Sequence, residues 1–282
     1  MFFAMRRTKI AAFVGLFLVV SLLVFHFRCS QQLRIVESIR LAGGRCTYQR
    51  GFLNWELLSQ GYRSRISAVS FSSPSENILF WSGRRKDVEK ILPQVARLNG
   101  LKSLDLSNCS WTRESLSGLS DLRNLEELKL QGVSLVDSEL AIIGEFRNLK
   151  SLSLFGARFN QKNLSKLSLS DSLNSISFCS SSLTDGGLTH IGKIGELRSL
   201  DLSNNQITDE GLGDLTSLRN LERLNLCETN VTDNCIPDLH SFKKLRHLDV
   251  RNTAISEQAV EKLKTSIPMI EIKYGDVLIS WQ

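Results

Sequence analysis

One pattern of 24 residues recurs seven times in this chain without an insertion or deletion between copies. Each copy opens Leu-x-x-Leu-x-Leu or a near variant of it. The openings stand at Leu101, Leu125, Leu149, Leu173, Leu197, Leu221 and Leu245, with a partial eighth at Met269. A fixed period of this length is the mark of a solenoid. A single copy is too short to bury its own apolar face, whereas a stack of copies buries one continuous core.

The copy from Leu197 to Asn220 shows how the pattern reads physically. Leu200 and Leu202 alternate with Ser199, Asp201 and Ser203, which is the period of a short strand with one buried face. Leu212, Leu215 and Leu218 then recur every third residue, as on one side of a helix or 3₁₀ segment. Thr208 precedes that segment, where its hydroxyl is placed to cap free N–H groups, and Asp209 suits the positive helix end. Thr-Asp recurs at Thr184–Asp185 and Thr232–Asp233, softened to Ser256–Glu257. The same strand positions hold Leu104/Leu106, Leu128/Leu130, Leu152/Leu154, Ile176/Phe178, Leu224/Leu226 and Leu248/Val250.

These residues resemble the leucine-rich repeat family, closely over 101–274. The resemblance implies an α/β fold: a curved horseshoe with a parallel sheet on its concave face, where such proteins usually bind partners. In the family the eighth residue after each opening satisfies backbone groups of the turn. Here it is Cys109, Val133, Ala157, Ser181, Asn205, Thr229 and Thr253. Val133 and Ala157 have no hydrogen-bonding side chain, so weaker turns are expected in the second and third copies. Ser170, at an apolar position, marks a further irregularity in the third.

An open solenoid needs caps. Leu92, Val95 and Leu98 lie one period before Leu116, Leu119 and Leu122, so residues 77–100 read as a degenerate first repeat with Ile78 and Phe80 in its strand. Pro93 argues against a long regular helix there. Ile66, Val69 and Phe71 suggest an earlier strand. Leu33, Ile35, Val36 and Ile39 suggest a short helix ended by Gly43–Gly44. With the small apolar region around Cys46, Tyr48, Phe52 and Trp55, residues 28–76 read as a juxtamembrane helix and N-terminal cap. Residues 101–268 hold the seven repeats, and 269–282 a closing strand in which Met269, Ile272 and Tyr274 keep register, followed by Val277, Ile279 and Trp281.

Ahead of these lie a short basic start, 1–9, and an uncharged apolar run, 10–27. As a helix that run would be about 27 Å long, near the hydrocarbon thickness of a bilayer. A single-pass transmembrane signal anchor is the preferred reading. A cleaved signal peptide and a buried core helix are its competitors, the former opposed by the length of the run and the absence of small residues at a cleavage site. Arginines and lysines flank both ends, so charge does not fix orientation; the extracytoplasmic side is preferred for the repeats.

Charge divides the chain. Residues 1–100 carry 15 Lys and Arg against 5 Asp and Glu, whereas 101–282 carry 20 against 24. The repeats lack the aromatic-flanked basic surface that nucleic-acid binding needs. The six cysteines show neither a disulfide framework nor metal spacing. Cys179 and Cys227 share a column two repeats apart, roughly 10 Å and too far to bond. Free thiols fit a reducing compartment better, which weighs against the preferred side.

The 24-residue period also assigns polar side chains to faces. Cys227, His247 and Asp249 suggest a nucleophilic site, but Cys227 lies four residues further along its strand than His247 does on the next, about 13 Å away. No catalytic set, metal site, cofactor site or small-molecule substrate site is identified. The large charged or amide side chains of the concave face gather toward the C-terminus, where the expected partner-binding surface consists of Asp201, Arg223, Asn225, His247, Asp249 and Arg251. The layout resembles bacterial membrane-anchored leucine-rich repeat proteins, which implies a noncatalytic module that recognises a protein partner. The Thr-Asp repeats are also similar to those of F-box ubiquitin-ligase adaptors that read substrates, although no F-box is evident between residues 30 and 65.

Overall fold

The structure, a computed structural model, describes residues 34–41, 44–50, 64–70, 88–98, 100–109, 111–135, 137–169, 171–267 and 269–275. The apolar run 10–27, the strand expected at Ile78 and Phe80, and Val277, Ile279 and Trp281 lie outside these. Among the described residues no helix is long and apolar enough to cross a membrane.

Ten strands form one sheet in sequence order. They are β1 (Arg45–Arg50), β2 (Ser64–Ser70), β3 (Ser103–Asp105), β4 (Glu127–Lys129), β5 (Ser151–Ser153), β6 (Ser175–Ser177), β7 (Ser199–Asp201), β8 (Arg223–Asn225), β9 (His247–Asp249) and β10 (Glu271–Lys273). From β4 onward every strand starts 24 residues after its predecessor and pairs with it in parallel, residue for residue. The central Leu or Ile of β3 to β9 is buried and its two neighbours face outward, the alternation demanded by a period of two.

The return segments keep the same phase. After α1 (34–41) and α2 (Val88–Val95) come α3 (Arg113–Ser117), α4 (Asp137–Gly144), a 3₁₀ segment (Gln161–Leu169), α5 (Asp185–Ile191), α6 (Asp209–Gly213), a 3₁₀ turn (Asp233–Cys235) leading into α7 (Ile236–Leu239), and α8 (Glu257–Ser266). Their apolar residues join those of the strands in one core running from Ile35 to Ile267. The third return is the irregular one: nine residues of 3₁₀ helix, where runs beyond three or four are uncommon.

The N-terminal cap departs from the 24-residue frame. β1 and β2 form an antiparallel hairpin, and β2 lies directly beside β3, pairing Val69 with Leu104. The place expected for Ile78 and Phe80 is thus held by residues 68–70, with Val69 preceding Leu104 by 35 residues. The helical half of that repeat does keep phase: Leu92, Val95 and Leu98 are buried, and Pro93 lies within the eight-residue α2. α1 buries Ile35 and Ile39, and the Gly44 N–H donates to the Ile39 carbonyl at 2.8 Å, a C-terminal cap of the anticipated kind.

At the other end, Ile272 pairs with Leu248, in frame. Met269 does not take the opening position: it is 87% exposed, with φ of +66°, and Ile270 packs against the core beside it. The expectation that Met269 continues the core column is corrected by this local turn.

Side chains tie each turn to its neighbour. Buried Asn205 accepts from the Ser181 and Leu183 N–H groups through Oδ1 (3.0 and 2.9 Å). Its Nδ2 donates to the carbonyls of Phe178, Leu202 and Ser203. Thr229 and Thr253 make the simpler bond, hydroxyl to the carbonyl three residues back. Ala157 leaves the equivalent Leu154 carbonyl uncapped by a side chain of its own repeat, but the Ser181 hydroxyl of the next repeat donates to it at 2.6 Å. The residue just before this position is left-handed in all seven repeats, φ 52–66°. It is glycine (Gly132, Gly156) in the two copies that have Val133 and Ala157, so the backbone cost is lowest where the side-chain cap is missing.

Thr-Asp has a role beyond the expected cap. The side chains of Thr184 and Thr208 make no cap hydrogen bond. Instead, Asp185 accepts both the N–H and the hydroxyl of Thr208 (2.9 and 2.6 Å), Asp209 those of Thr232 (2.7 and 2.6 Å), and Asp233 those of Ser256 (both 2.7 Å). Gln161 begins the series by accepting both from Thr184. Gly211 is required beside Asp185, because a Cβ there would collide with the carboxylate. Thr112, Thr232 and Ser256 do cap their own helices.

Candidate functional site

The exposed face of β7 to β10 carries all six expected partner-binding residues. Pairing places Arg223 beside His247, Asn225 beside Asp249, and Asp201 beside Asn225. All but Arg251 border a depression of about 370 Å³ that also takes in Ser199 and two residues missed in the sequence, Glu271 and Lys273. Continuing the 24-residue columns one copy beyond His247 and Asp249 would have found both, since β10 is in register with β9.

These residues differ in what they have free to offer. Asp201, Asn225 and Asp249 stand at strand ends, and each Oδ1 accepts the N–H two residues on: Ser203 (3.1 Å), Cys227 (3.0 Å) and Arg251 (3.2 Å). That is a local turn bond which fixes the exit from the strand. Asp105 does the same for Ser107 in the first repeat. Asp201 also accepts the Ser177 and Ser203 hydroxyls. Asp249 is further gripped by Arg251, whose Nε and Nη2 approach its two oxygens at 2.6–3.1 Å. Burial would raise the pKa of the Asp249 carboxyl, but the bonds from Arg251 outweigh it and hold the group below the usual range; the same pair raises Arg251. His247 Nδ1 lies 3.0 Å from Glu271 Oε2. Arg223 and Lys273 are exposed, and neither makes an ion pair or side-chain hydrogen bond among the described residues.

Cys227, His247 and Asp249 do not assemble as a nucleophilic set. Arg223, not Cys227, pairs with His247, so Cys227 stays four residues out of register. Burial, followed by the charge of Asp249, pushes the Cys227 thiol up, the wrong direction for a thiolate. Cys235 is pushed up to about 12 by burial. Cys46, Cys109, Cys179, Cys227 and Cys235 are all free thiols, and no group of three His, Cys, Asp or Glu side chains suited to a metal occurs among the described residues.

Elsewhere on the outer face charges are spent internally. Lys102 and Lys150 each approach Glu126 at 2.8 Å, Lys129 pairs with Glu127, and Arg198 with Glu222. Hydrogen bonds from Lys102 and Lys150 hold the Glu126 carboxyl down at about 2.

Parallel strands in register, joined by short returns at a fixed 24-residue period, define a leucine-rich repeat solenoid. A family model described as Leucine Rich Repeat matches residues 100–122 and 196–218, and this chain is a leucine-rich repeat protein. Its fold is similar to that of internalin C2 from Listeria monocytogenes strain 4b F2365, with 18% identity, coverage of 85% of this chain and 92% of that one, and a TM-score of 0.53. It is also similar to a chain of the mouse RP105/MD-1 complex, with 20% identity, coverage of 61% of this chain and 30% of that one, and a TM-score of 0.50. At these identities the likeness is one of fold. No curated protein sequence matches the chain.

Proposed function

We propose that this protein is a membrane-tethered recognition module, held by residues 10–27 on the extracytoplasmic side, which binds a protein partner on the outer face of β7 to β10. The carrying observation is the depression there, bordered by the exposed cations Arg223 and Lys273, whereas Lys129 on β4 and Arg251 after β9 are ion-paired with Glu127 and Asp249. One similar fold comes from a chain of a complex between two proteins, RP105 and MD-1, which accords with a binding role. The tether is supported by the uncharged apolar length of 10–27. In this reading the role is noncatalytic recognition of a protein partner.

Proximity labelling in the native host, read with protease accessibility of the repeats on intact cells, tests this. Labelled protein partners that disappear with Arg223→Ala and Arg251→Ala are expected, with repeats digested from outside. Extraction as a soluble protein with an intact N-terminus sinks the tether. Unchanged partner capture by both variants sinks the site.

A further inference from the structure

We propose that the depression on β7 to β10 recognises an extended acidic peptide segment, placing one carboxylate at Arg223 and a second at Lys273. The proposal rests on the recognition role above and adds the chemistry of the partner.

Its basis is which donors and acceptors are left over. Most acceptors of the depression are engaged within the chain: both oxygens of Asp201, both of Asp249, Oδ1 of Asn225, and Oε2 of Glu271, whose other oxygen lies at the exposed edge. What remains consists mainly of donors, namely the Arg223 guanidinium, the Lys273 ammonium and Asn225 Nδ2. A surface rich in unused donors and poor in unused acceptors selects a ligand of the opposite kind. The charges elsewhere sharpen the contrast, since Lys129 on β4 and Arg251 after β9 are neutralised by Glu127 and Asp249. An arginine held between strands, with a guanidinium fork facing solvent, suits bidentate capture of a carboxylate.

The register also sets a spacing. Arg223 is the first residue of β8 and Lys273 the last of β10. Two strand separations and two residues along the strand place their backbones about 12 Å apart, the reach of three to four extended residues. The ligand is therefore a segment with acidic residues at i and i+3 or i+4, crossing the strands obliquely.

The test pans a phage-displayed library of random peptides, each about twelve residues long so as to span the depression when extended, on the full-length protein in detergent. Selected sequences are then synthesised and titrated. The expected result is enrichment of Asp and Glu at that spacing, with affinity that falls as salt rises. R223S and K273S are each expected to weaken the selected peptide about tenfold, while K193S, on the helical side, leaves it unchanged. Both substituted residues are exposed, and far-UV circular dichroism confirms that the variants fold. Selected peptides without acidic enrichment, or acidic peptides indifferent to R223S and K273S, overturn the acidic-ligand proposal and leave recognition standing. Failure to select any peptide above a blocked-surface background overturns both.

Discussion

Replacing Asn205 with alanine would test whether side-chain bonds inside the turns, and not apolar burial alone, hold adjacent repeats together. Asn205 is 7% exposed and makes five hydrogen bonds. Not all five count equally. The Phe178 carbonyl keeps the Ser181 N–H, and the Ser203 carbonyl keeps the Ser180 N–H. Two groups lose what the asparagine gave them with no substitute: the Leu183 N–H, in a fully buried residue, and the Leu202 carbonyl. Orphaning a buried donor or acceptor costs about 1–3 kcal/mol. Adding a small cavity term, Asn205→Ala is expected to lose about 3–4 kcal/mol. Asn205→Thr recreates the arrangement of Thr229 and returns a hydroxyl to the Leu202 carbonyl, so about half that loss is expected. Urea denaturation followed by circular dichroism gives the global values, and hydrogen exchange at the Leu183 amide reports the local one. A loss under about 1 kcal/mol for alanine, or threonine no better than alanine, would refute this hydrogen-bond account.

Other outcomes follow from the same structure. Asp209→Ala and Thr232→Ala should show a coupling of about 1 kcal/mol in a double-mutant cycle, because either one removes the bond from the Thr232 hydroxyl to the Asp209 carboxylate, while the Thr232 N–H bond is lost only with the aspartate; additive losses would deny the link. Glu228 occupies the left-handed position with φ of 57°, so Glu228→Gly should raise stability by about 0.5–1 kcal/mol in thermal melts. Gly192→Ala would drive a Cβ into the backbone carbonyl of Asp214 and should lower the melting temperature by several degrees, roughly 1–3 kcal/mol. Glu126, Glu127, Asp233 and Asp249 all titrate below their ordinary values. Their pairing therefore stabilises the fold above the usual carboxylate range, and that contribution is lost as pH falls, for Glu126 down through about 2. Melts from neutral pH to pH 2 should show the decline, smaller in Glu126→Gln and in high salt, since these pairs are exposed.

The strands and returns of the repeats were legible because each copy carries the same period of two followed by the same period of three. One well-marked copy therefore fixes the phase of the others. The caps lack that redundancy. Nothing in the order of Ile66, Val69, Ile78 and Phe80 tells which pair lies beside Leu104, because the longer spacing breaks the frame and the apolar alternation is the same in both places. Met269 fits the pattern by composition, yet its backbone turns it outward and Ile270 serves instead. In the sequence Thr-Asp reads as a local cap, because a hydroxyl ahead of a helix satisfies that rule whether or not it also reaches a carboxylate 23 residues earlier. The charged columns of the outer face could be assigned from register. Which members are already committed could not: Asp201, Asn225 and Asp249 serve their own turns, an outcome of side-chain rotamer that spacing does not encode.

The series of paired bonds that begins at Gln161 and ends at Ser256 has a mechanical corollary. Four successive joints, from the third return to the last, are pinned on their outer rim by paired bonds. Each pin adds two bonds to the backbone pairing of the sheet, so a bending load on the adjacent repeats that carry Asp201, Arg223 and His247 must break hydrogen bonds at the rim as well as in the sheet before the face of β7 to β9 changes shape.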